Sequence, residues 1–351
     1  MNTTSFQSSP ATVNVGLALA ARAWQELCRS AGRHARAPVD VISLKAQRLN
    51  SKSGVYRLAR AADDGSDVVA KLCLRPTAQV ERAVYERILP RLNLPALRYH
   101  GYFDEGHGDF CWLFFEDAGT EKVREPHRAL PSAWIAQLHI QAAGLTGEVA
   151  LPERGSAHYL DHLRSARRMI DEVLAGLSNA HDDGDDDVIG TLRDLHVLLD
   201  RVEARWEAFC APCATAPRTL VHGDFGPKNI RLRSAPCGTE VVVLDWETAG
   251  WGPVAVDIPQ LPSRPSRKPD KSPRWRGVAL DVYTTNTSGA WDGADKQREL
   301  ARLAAVGTVF HYLSSIRWAA EQVHSGGTFK PMARLRLYTE EFMRVVAAMR
   351  C

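Results

Sequence analysis

The sequence predicts an α+β chain of two lobes, a small antiparallel β-rich N-lobe followed by a larger helical C-lobe. Short alternating apolar runs fall between residues 41 and 117, and after Gly119 the apolar spacing becomes helical. Inside the helical stretch a short apolar run, Val241–Leu244, follows a dense polar cluster at 222–229.

The elements follow in order. Residues 1–34 form an extension in which Val15, Leu19, Ala23 and Leu27 recur every four positions, predicting a helix over 14–32. The N-lobe spans 35–117. "VISLKAQRLN", "GVYRLAR" and "DVVAKLCL" read as three short strands, with "AADDGSD" turning the chain between the last two. In "TAQVERAVYERILPRL", Val80, Val84, Ile88 and Leu92 share one helical stripe, and Pro76 and Thr77 suit its start. A further strand pair is expected around 97–103 and 110–116. In the C-lobe, 118–351, helices are expected at 131–144, 156–177, 188–210, 294–324 and 331–349. "HDDGDDD", 181–187, reads as a solvated loop because its five aspartates repel one another. Residues 259–276, rich in Pro, Ser, Arg and Lys, read as a second loop.

A chain of 351 residues has room for two domains, and a net charge of only +3 makes no case for nucleic acid. Seven dispersed cysteines do not form a disulfide framework. Cys210 and Cys213 make one CxxC with no second close pair to complete a zinc site. The first residues carry no basic stretch ahead of their short apolar run, and no window is apolar for the length of a membrane span. A cytoplasmic protein without membrane partners is therefore expected, with a monomer as the default and a homodimer as the alternative.

The polar cluster lies in "LVHGDFGPKNIRL", Leu220–Leu232, which reads as strand, loop, strand. "TEVVVLDWE" supplies another strand ending at Asp245. A hairpin from 229 to 244 would bring Asn229 and Asp245 near each other, with Asp224 five residues before Asn229. An amide and a carboxylate suit Mg²⁺ carrying phosphates, since that ion takes oxygen ligands and is held by few protein groups. The remaining carboxylate would orient a hydroxyl and accept its proton. The same residues would also make an ordinary polar turn capped by Asp224.

"HGDFGPKN" followed by "VLDWE" resembles the signature of the aminoglycoside phosphotransferase and choline kinase group, small-molecule kinases with the protein-kinase-like fold. The resemblance extends over about residues 40–350 and is densest at 220–258. It implies a protein-kinase-like two-lobed fold and transfer of the ATP γ-phosphoryl group, with Mg²⁺, to a small-molecule hydroxyl. It implies Asp224 as the catalytic aspartate, His222 as the support of its loop, and Asn229 and Asp245 as magnesium ligands. Asp257 in "GPVAVDI" matches a mainly structural aspartate, and His139 in "IAQLHI" is expected to be structural too. On the nucleotide side, Lys71 in "VVAKLCL" would reach the phosphates and Glu81 would steady it. "LNSKSGVYRLA", with Asn50, Ser51, Ser53 and Gly54, would be the loop over the phosphates, where small residues let backbone N–H groups approach. Its single glycine departs from the protein-kinase GxGxxG. In "WLFFEDAG", backbone groups around Phe115–Asp117 would meet the adenine edge.

The acceptor is less legible. An aminoglycoside-like antibiotic or related metabolite is the first expectation, since enzymes for polycations line their sites with carboxylates and "HDDGDDD" could supply some. "SRPSRKPDKSPRWR", with six basic residues and one acid, would suit an anionic acceptor instead. A choline or amino alcohol would call for aromatic side chains such as Trp246, Trp251, Trp275, Trp291 or Trp318. A sugar or nucleoside kinase, and a non-catalytic nucleotide-binding protein, are the remaining alternatives.

Overall fold

The computed structural model describes residues 10–33, 36–45, 53–106, 108–179, 186–236, 238–261, 277–291, 295–326 and 329–349. The strands are β1 (Val41–Lys45), β2 (Ser53–Leu58), β3 (Val68–Leu74), β4 (Tyr99–Phe103), β5 (Phe110–Glu116), β6 (Arg218–Val221), β7 (Ile230–Ala235), β8 (Gly238–Val243) and β9 (Gly250–Pro253). The helices are α1 (Pro10–Ser30), α2 (Arg75–Ala83), α3 (Ala129–Ala143), α4 (Ser156–Asn179), α5 (Asp186–Glu203), α6 (Trp206–Ala214), α7 (Leu280–Asn286), α8 (Lys296–His324) and α9 (Phe329–Ala348). The chain divides into two compact units, Met1–Lys122 with Lys228–Ala249, and Val123–Pro227 with Gly250–Cys351.

In the first unit, β1-β2-β3-β5-β4 form one antiparallel sheet. The alternation of the strands puts Tyr56, Leu58, Val68, Ala70, Trp112 and Phe114 into a core shared with Ala20, Ala23, Trp24 and Leu27 of α1. Full burial of side chains such as Leu58 and Phe114 is worth about 1.5–3 kcal/mol each. The Trp24 indole keeps its polar atom satisfied by donating to the Ala61 carbonyl at 3.1 Å. α2 does not end at Ala83 but widens into a π-helical turn over Val84–Ile88, which still buries Val84 and Ile88. Pro90 in the turn that follows supplies no N–H to continue the ladder.

The expected 229–244 hairpin is present as β7 and β8, paired from Ile230↔Val243 to Ala235↔Gly238. It belongs to the first unit, although sequence order puts it among the helices. Lys122 bridges Arg231, the Leu232 amide donates to the Glu121 carbonyl at 3.0 Å, and Arg233 pairs with Glu116 at 2.7 Å.

The second unit is helical around α8. Val306, Val309, Phe310, Leu313 and Ile316 of α8 are buried in one cluster with Leu163 and Ile170 of α4 and with Leu335 and Phe342 of α9. Tyr159 stacks on Phe310 with ring centroids 4.1 Å apart. At Gly307 a methyl group would overlap the Ala255 carbonyl oxygen, so α8 rests directly on the 3₁₀ turn Val254–Asp257. β6 and β9 form a two-stranded antiparallel ribbon, from Arg218↔Pro253 to Val221↔Gly250. The segment expected as one helix over 188–210 is two helices, broken at Ala204–Arg205, where Arg205 leaves helical geometry (φ −115°, ψ 14°). α5 begins at Asp186, so the last two residues of "HDDGDDD" belong to its first turn. Asp187 also pairs with Arg336 at 2.6 Å. The rest of that acidic run, and the basic 263–276 loop with Trp275, lie outside the described residues.

Candidate active site

In the first unit the sheet and α2 converge on one ammonium group. Lys71, on β3 between β2 and β5, lies 2.6 Å from Glu81 of α2 and 2.6 Å from Asp245, with Glu247 at 3.6 Å. Glu81 is 2 % exposed, and the Trp246 amide also faces its carboxylate at 3.4 Å. Burial alone would lower the Lys71 ammonium, but the carboxylates of Glu81, Asp245 and Glu247 outweigh it and hold the group well above its ordinary value. Burial pushes the Glu81 carboxyl up, to about 7, against the pull of Lys71.

Asp245 follows β8 in the left-handed region (φ 66°, ψ 62°), which a non-glycine residue rarely adopts and which clusters at functional sites. At the same open end of the hairpin stands buried Asn229, whose carbonyl accepts from the Leu244 amide at 2.8 Å. Amide and carboxylate oxygens are thus presented from the two residues that frame one hairpin, a donor set suited to a hard divalent cation.

The predicted phosphate-loop residues divide. Ser53 and Gly54 are buried at the start of β2, paired with Cys73 and Leu72 of β3. Asn50 and Ser51 lie outside the described residues. Phe115 is within β5, between Val69 and Tyr99, and packs on Tyr85. Asp117 pairs with Arg57 and accepts from the Gly119 amide at 2.8 Å.

In the second unit, β6 delivers His222-Gly223-Asp224. Asp257, 1 % exposed, receives the amides of His222 at 2.6 Å and Gly223 at 2.9 Å, one on each carboxylate oxygen. The Asp224 amide donates to His222 Nδ1 at 3.2 Å, so the His222 proton is placed on Nε2. Gly223 has φ 80°, a conformation that favours glycine, and Phe225 stacks on Trp134 at 6.2 Å. Behind the loop, buried His139 lies 3.3 Å from Asp257 and 2.7 Å from the Tyr283 hydroxyl. These contacts fix the backbone that carries the Asp224 carboxylate.

The family model described as "Phosphotransferase enzyme family" (APH) matches residues 45–305. The chain belongs to this family. The phosphotransferase acts on an alcohol group as acceptor. No curated protein sequence matches it. Among solved structures it is similar to the ethanolamine kinase Pv091845 of Plasmodium vivax, at 12% identity and TM-score 0.55, over 88% of this chain and 81% of that one. It is also similar to APH(2")-IIia in its GDP and kanamycin complex, at 11% identity and TM-score 0.52, over 89% of this chain and 95% of that one. At these identities the likeness is one of fold, a kinase-like α+β architecture.

Within the phosphotransferase, sequence reasoning missed Glu247, the third carboxylate at Lys71, although the quoted "VLDWE" contains it. It also missed Tyr283, for which no local pattern signals a partner 144 residues away in sequence. Of the tryptophans weighed for a cation cage, the four described ones are occupied otherwise. Trp246 and Trp251 are buried, Trp251 donates to the Val149 carbonyl at 2.8 Å, Trp291 lies 6.3 Å from Tyr283, and Trp318 faces Arg334. Among the described residues no helix is long and apolar enough to cross a membrane.

Proposed function

We propose that this phosphotransferase moves the γ-phosphoryl group of ATP directly to a hydroxyl of a small molecule. The observation that carries this reading is the single ammonium of Lys71 held 2.6 Å from both Glu81 and Asp245. Such a lysine is positioned by its carboxylates to meet phosphate oxygens. The phosphate-loop positions Asn50, Ser51, Ser53 and Gly54 and the backbone around Phe115–Asp117 are assigned to nucleotide binding. Asn229 and Asp245 would hold Mg²⁺, which when bound neutralises phosphate charge. Asp224 orients the acceptor hydroxyl and takes its proton as the oxygen attacks phosphorus, and ADP leaves. His222 and Asp257 keep the Asp224 backbone in place.

The family and the kanamycin complex of the similar structure make an aminoglycoside-like antibiotic or related metabolite the starting class of acceptor. Amino alcohols, sugars and nucleosides are the alternatives, the first favoured by the similar ethanolamine kinase. A monomer in a reducing, cytoplasmic compartment fits the free thiols of Cys28, Cys73, Cys111, Cys210 and Cys213. The test is transfer from γ-labelled ATP across a panel of these compounds, with and without Mg²⁺, beside Asp224→Asn. A labelled product is expected that needs Mg²⁺ and falls about 100- to 10,000-fold in the variant. Intact ATP binding without any labelled product would favour a non-catalytic nucleotide-binding protein.

A further inference from the structure

The first unit holds two thiols that the mechanism above does not use. Cys73 of β3 and Cys111 of β5 stand directly opposite one another in the antiparallel register. Residues paired in this way send their side chains to the same face of the sheet. Ala70, Leu72, Trp112 and Phe114 point the other way, into the core shared with α1. The two thiols therefore occupy the face on which Glu81 of α2 reaches Lys71, and Cys73 is two residues along β3 from that lysine. The register continues past Leu74↔Phe110 to Arg75 and Asp109, where the Arg75 amide donates to the Asp109 carbonyl at 2.8 Å. Backbone-bonded pairs alternate along an antiparallel ladder, so Cys73 and Cys111 form such a pair too, with Cα atoms about 5.5 Å apart. That spacing lies inside the range of about 4.4–6.8 Å that a disulfide spans.

The two side chains already meet. The Cys111 thiol donates to the Cys73 carbonyl at 3.7 Å, and the thiols are hydrogen-bonded to each other. Both are free, and both are 1 % exposed. Cys111 is nevertheless one side chain away from solvent, because its other hydrogen-bonding neighbour is the hydroxyl of half-buried Tyr102. Cations gather there. The Arg82 guanidinium lies 4.6 Å from the centroid of the Tyr102 ring, and Arg75 pairs with Asp104, which also accepts from the Tyr102 hydroxyl at 2.8 Å. The hydrogen bond from Cys73 holds the Cys111 thiol below its ordinary value against burial, with Tyr102, Arg75 and Arg82 adding to the effect. The same hydrogen bond, followed by burial, raises Cys73. One thiol is thus set to attack and the other to follow it.

We propose that Cys73 and Cys111 are a peroxide-responsive dithiol, whose closure to a disulfide between β3 and β5 shifts Lys71 against Glu81 and weakens the hold on ATP. This rests on the reading of Lys71 as the residue that meets phosphate oxygens. The Cys111 sulfur, as thiolate, attacks one oxygen of hydrogen peroxide. The O–O bond breaks, and the departing hydroxide leaves as water with the proton that Cys111 gave up. The Cys73 sulfur then attacks the sulfenic sulfur. The S–S bond forms, the S–O bond breaks, and the second hydroxide leaves as water with the Cys73 proton. Two electrons pass from the sulfurs to the peroxide, and an external dithiol returns them by exchange. Closure draws the Cβ atoms from the about 4.5–5.5 Å of a strand pair to about 3.8 Å, a movement of about 1 Å beside Lys71. In a reducing compartment such a bond is transient, a signal rather than a staple.

The test treats the reduced full-length protein with hydrogen peroxide and maps an unreduced digest by mass spectrometry. A cross-link joining the Cys73 and Cys111 peptides, lighter by two hydrogen atoms than the pair of thiols, is expected. ATP affinity by calorimetry and transfer of label should fall together, toward the about 100-fold that a misplacement of 1 Å costs, and dithiothreitol should restore both. Cys111→Ala and Cys73→Ala, each checked for an unchanged thermal midpoint, should begin near wild-type activity and keep it under peroxide. Free thiols at both positions after peroxide, a bond at Cys210–Cys213 in place of this one, or a Cys73–Cys111 cross-link that leaves ATP affinity unchanged overturns the proposal. So does equal inactivation of the two variants. If the reduced protein neither binds ATP nor transfers label, the phosphotransfer reading fails, and hydrogen exchange without nucleotide decides for the dithiol. Cross-linking that changes protection across α2, which carries Glu81, upholds it, and unchanged protection there overturns it.

Discussion

Lys71 shows how one residue holds a site together. Its ammonium is shared among Glu81, Asp245 and Glu247, and Glu81 is buried without access to bulk water. Lys71→Ala leaves that carboxyl without its cation, and a loss of about 3–5 kcal/mol in guanidinium titration at pH 8 is expected. At pH 5 the loss should shrink. With the ammonium gone, burial acts unopposed, and Glu81 takes up its proton above the value of about 7 it has beside Lys71. A second residue-scale expectation concerns His158 and His162, whose folded values lie below the ordinary 6.5, at about 4 and about 3. Groups depressed on folding contribute stability that is full above about pH 6.5 and is lost as pH falls through the folded values. The midpoint of denaturant unfolding should drop between pH 6.5 and pH 4 in wild type, and the drop should flatten in His158→Asn/His162→Asn. At this scale the sequence was most informative where spacing is local. Lys71 and Glu81 are ten residues apart, and Asp224, Asn229 and Asp245 fall in two short motifs. Tyr283 was invisible because nothing near it in sequence distinguishes it from the other seven tyrosines.

Among the elements, the ribbon of β6 and β9 sets the position of the loop that carries Asp224, and two glycines let the 152–154 segment lie against it. At Gly252 a methyl group would come within 2.7 Å of the Arg154 carbonyl oxygen, and at Gly250 it would overlap the Pro152 carbonyl. Gly252→Ala is expected to cost about 1–3 kcal/mol, as for an overpacked interior, read from thermal or denaturant unfolding. Strands and helices with clear periodicity were readable in the sequence, since alternation and four-residue recurrence are themselves the burial pattern. The breaks were not. The i, i+4 stripe through Val80, Val84 and Ile88 reads the same whether the turn is α or π, and nothing in "VEARWEAFC" announces the interruption at Ala204–Arg205. The pairing of β6 with β9 was equally hidden, because strand order depends on contacts between segments distant in sequence.

The molecule as a whole is organised by a chain that leaves the first unit at Lys122, returns at Lys228 and leaves again after Ala249. The returning segment brings Asn229, Asp245 and Trp246 to a sheet made more than a hundred residues earlier. Trp246 is fully buried there. Trp246→Ala should cost about 3–5 kcal/mol. Hydrogen exchange should locate that loss, with protection falling across β3, β5 and α2 while α8 and α9 keep theirs. Sequence order could not foretell this ownership, because a hairpin's periodicity says which of its faces is apolar and not which distant sheet will cover it. The seat of α8 on the 254–257 turn carries a consequence for how such a chain can diverge. At residue 307 the clearance is that of a single hydrogen atom, and the turn below it ends in Asp257, which clasps the amides of His222 and Gly223. Drift along α8 is therefore free wherever a neighbour can yield, and closed at this one position. Any descendant that keeps the loop will keep glycine at 307, and one that gains a side chain there must re-lay the ground beneath the Asp224 loop.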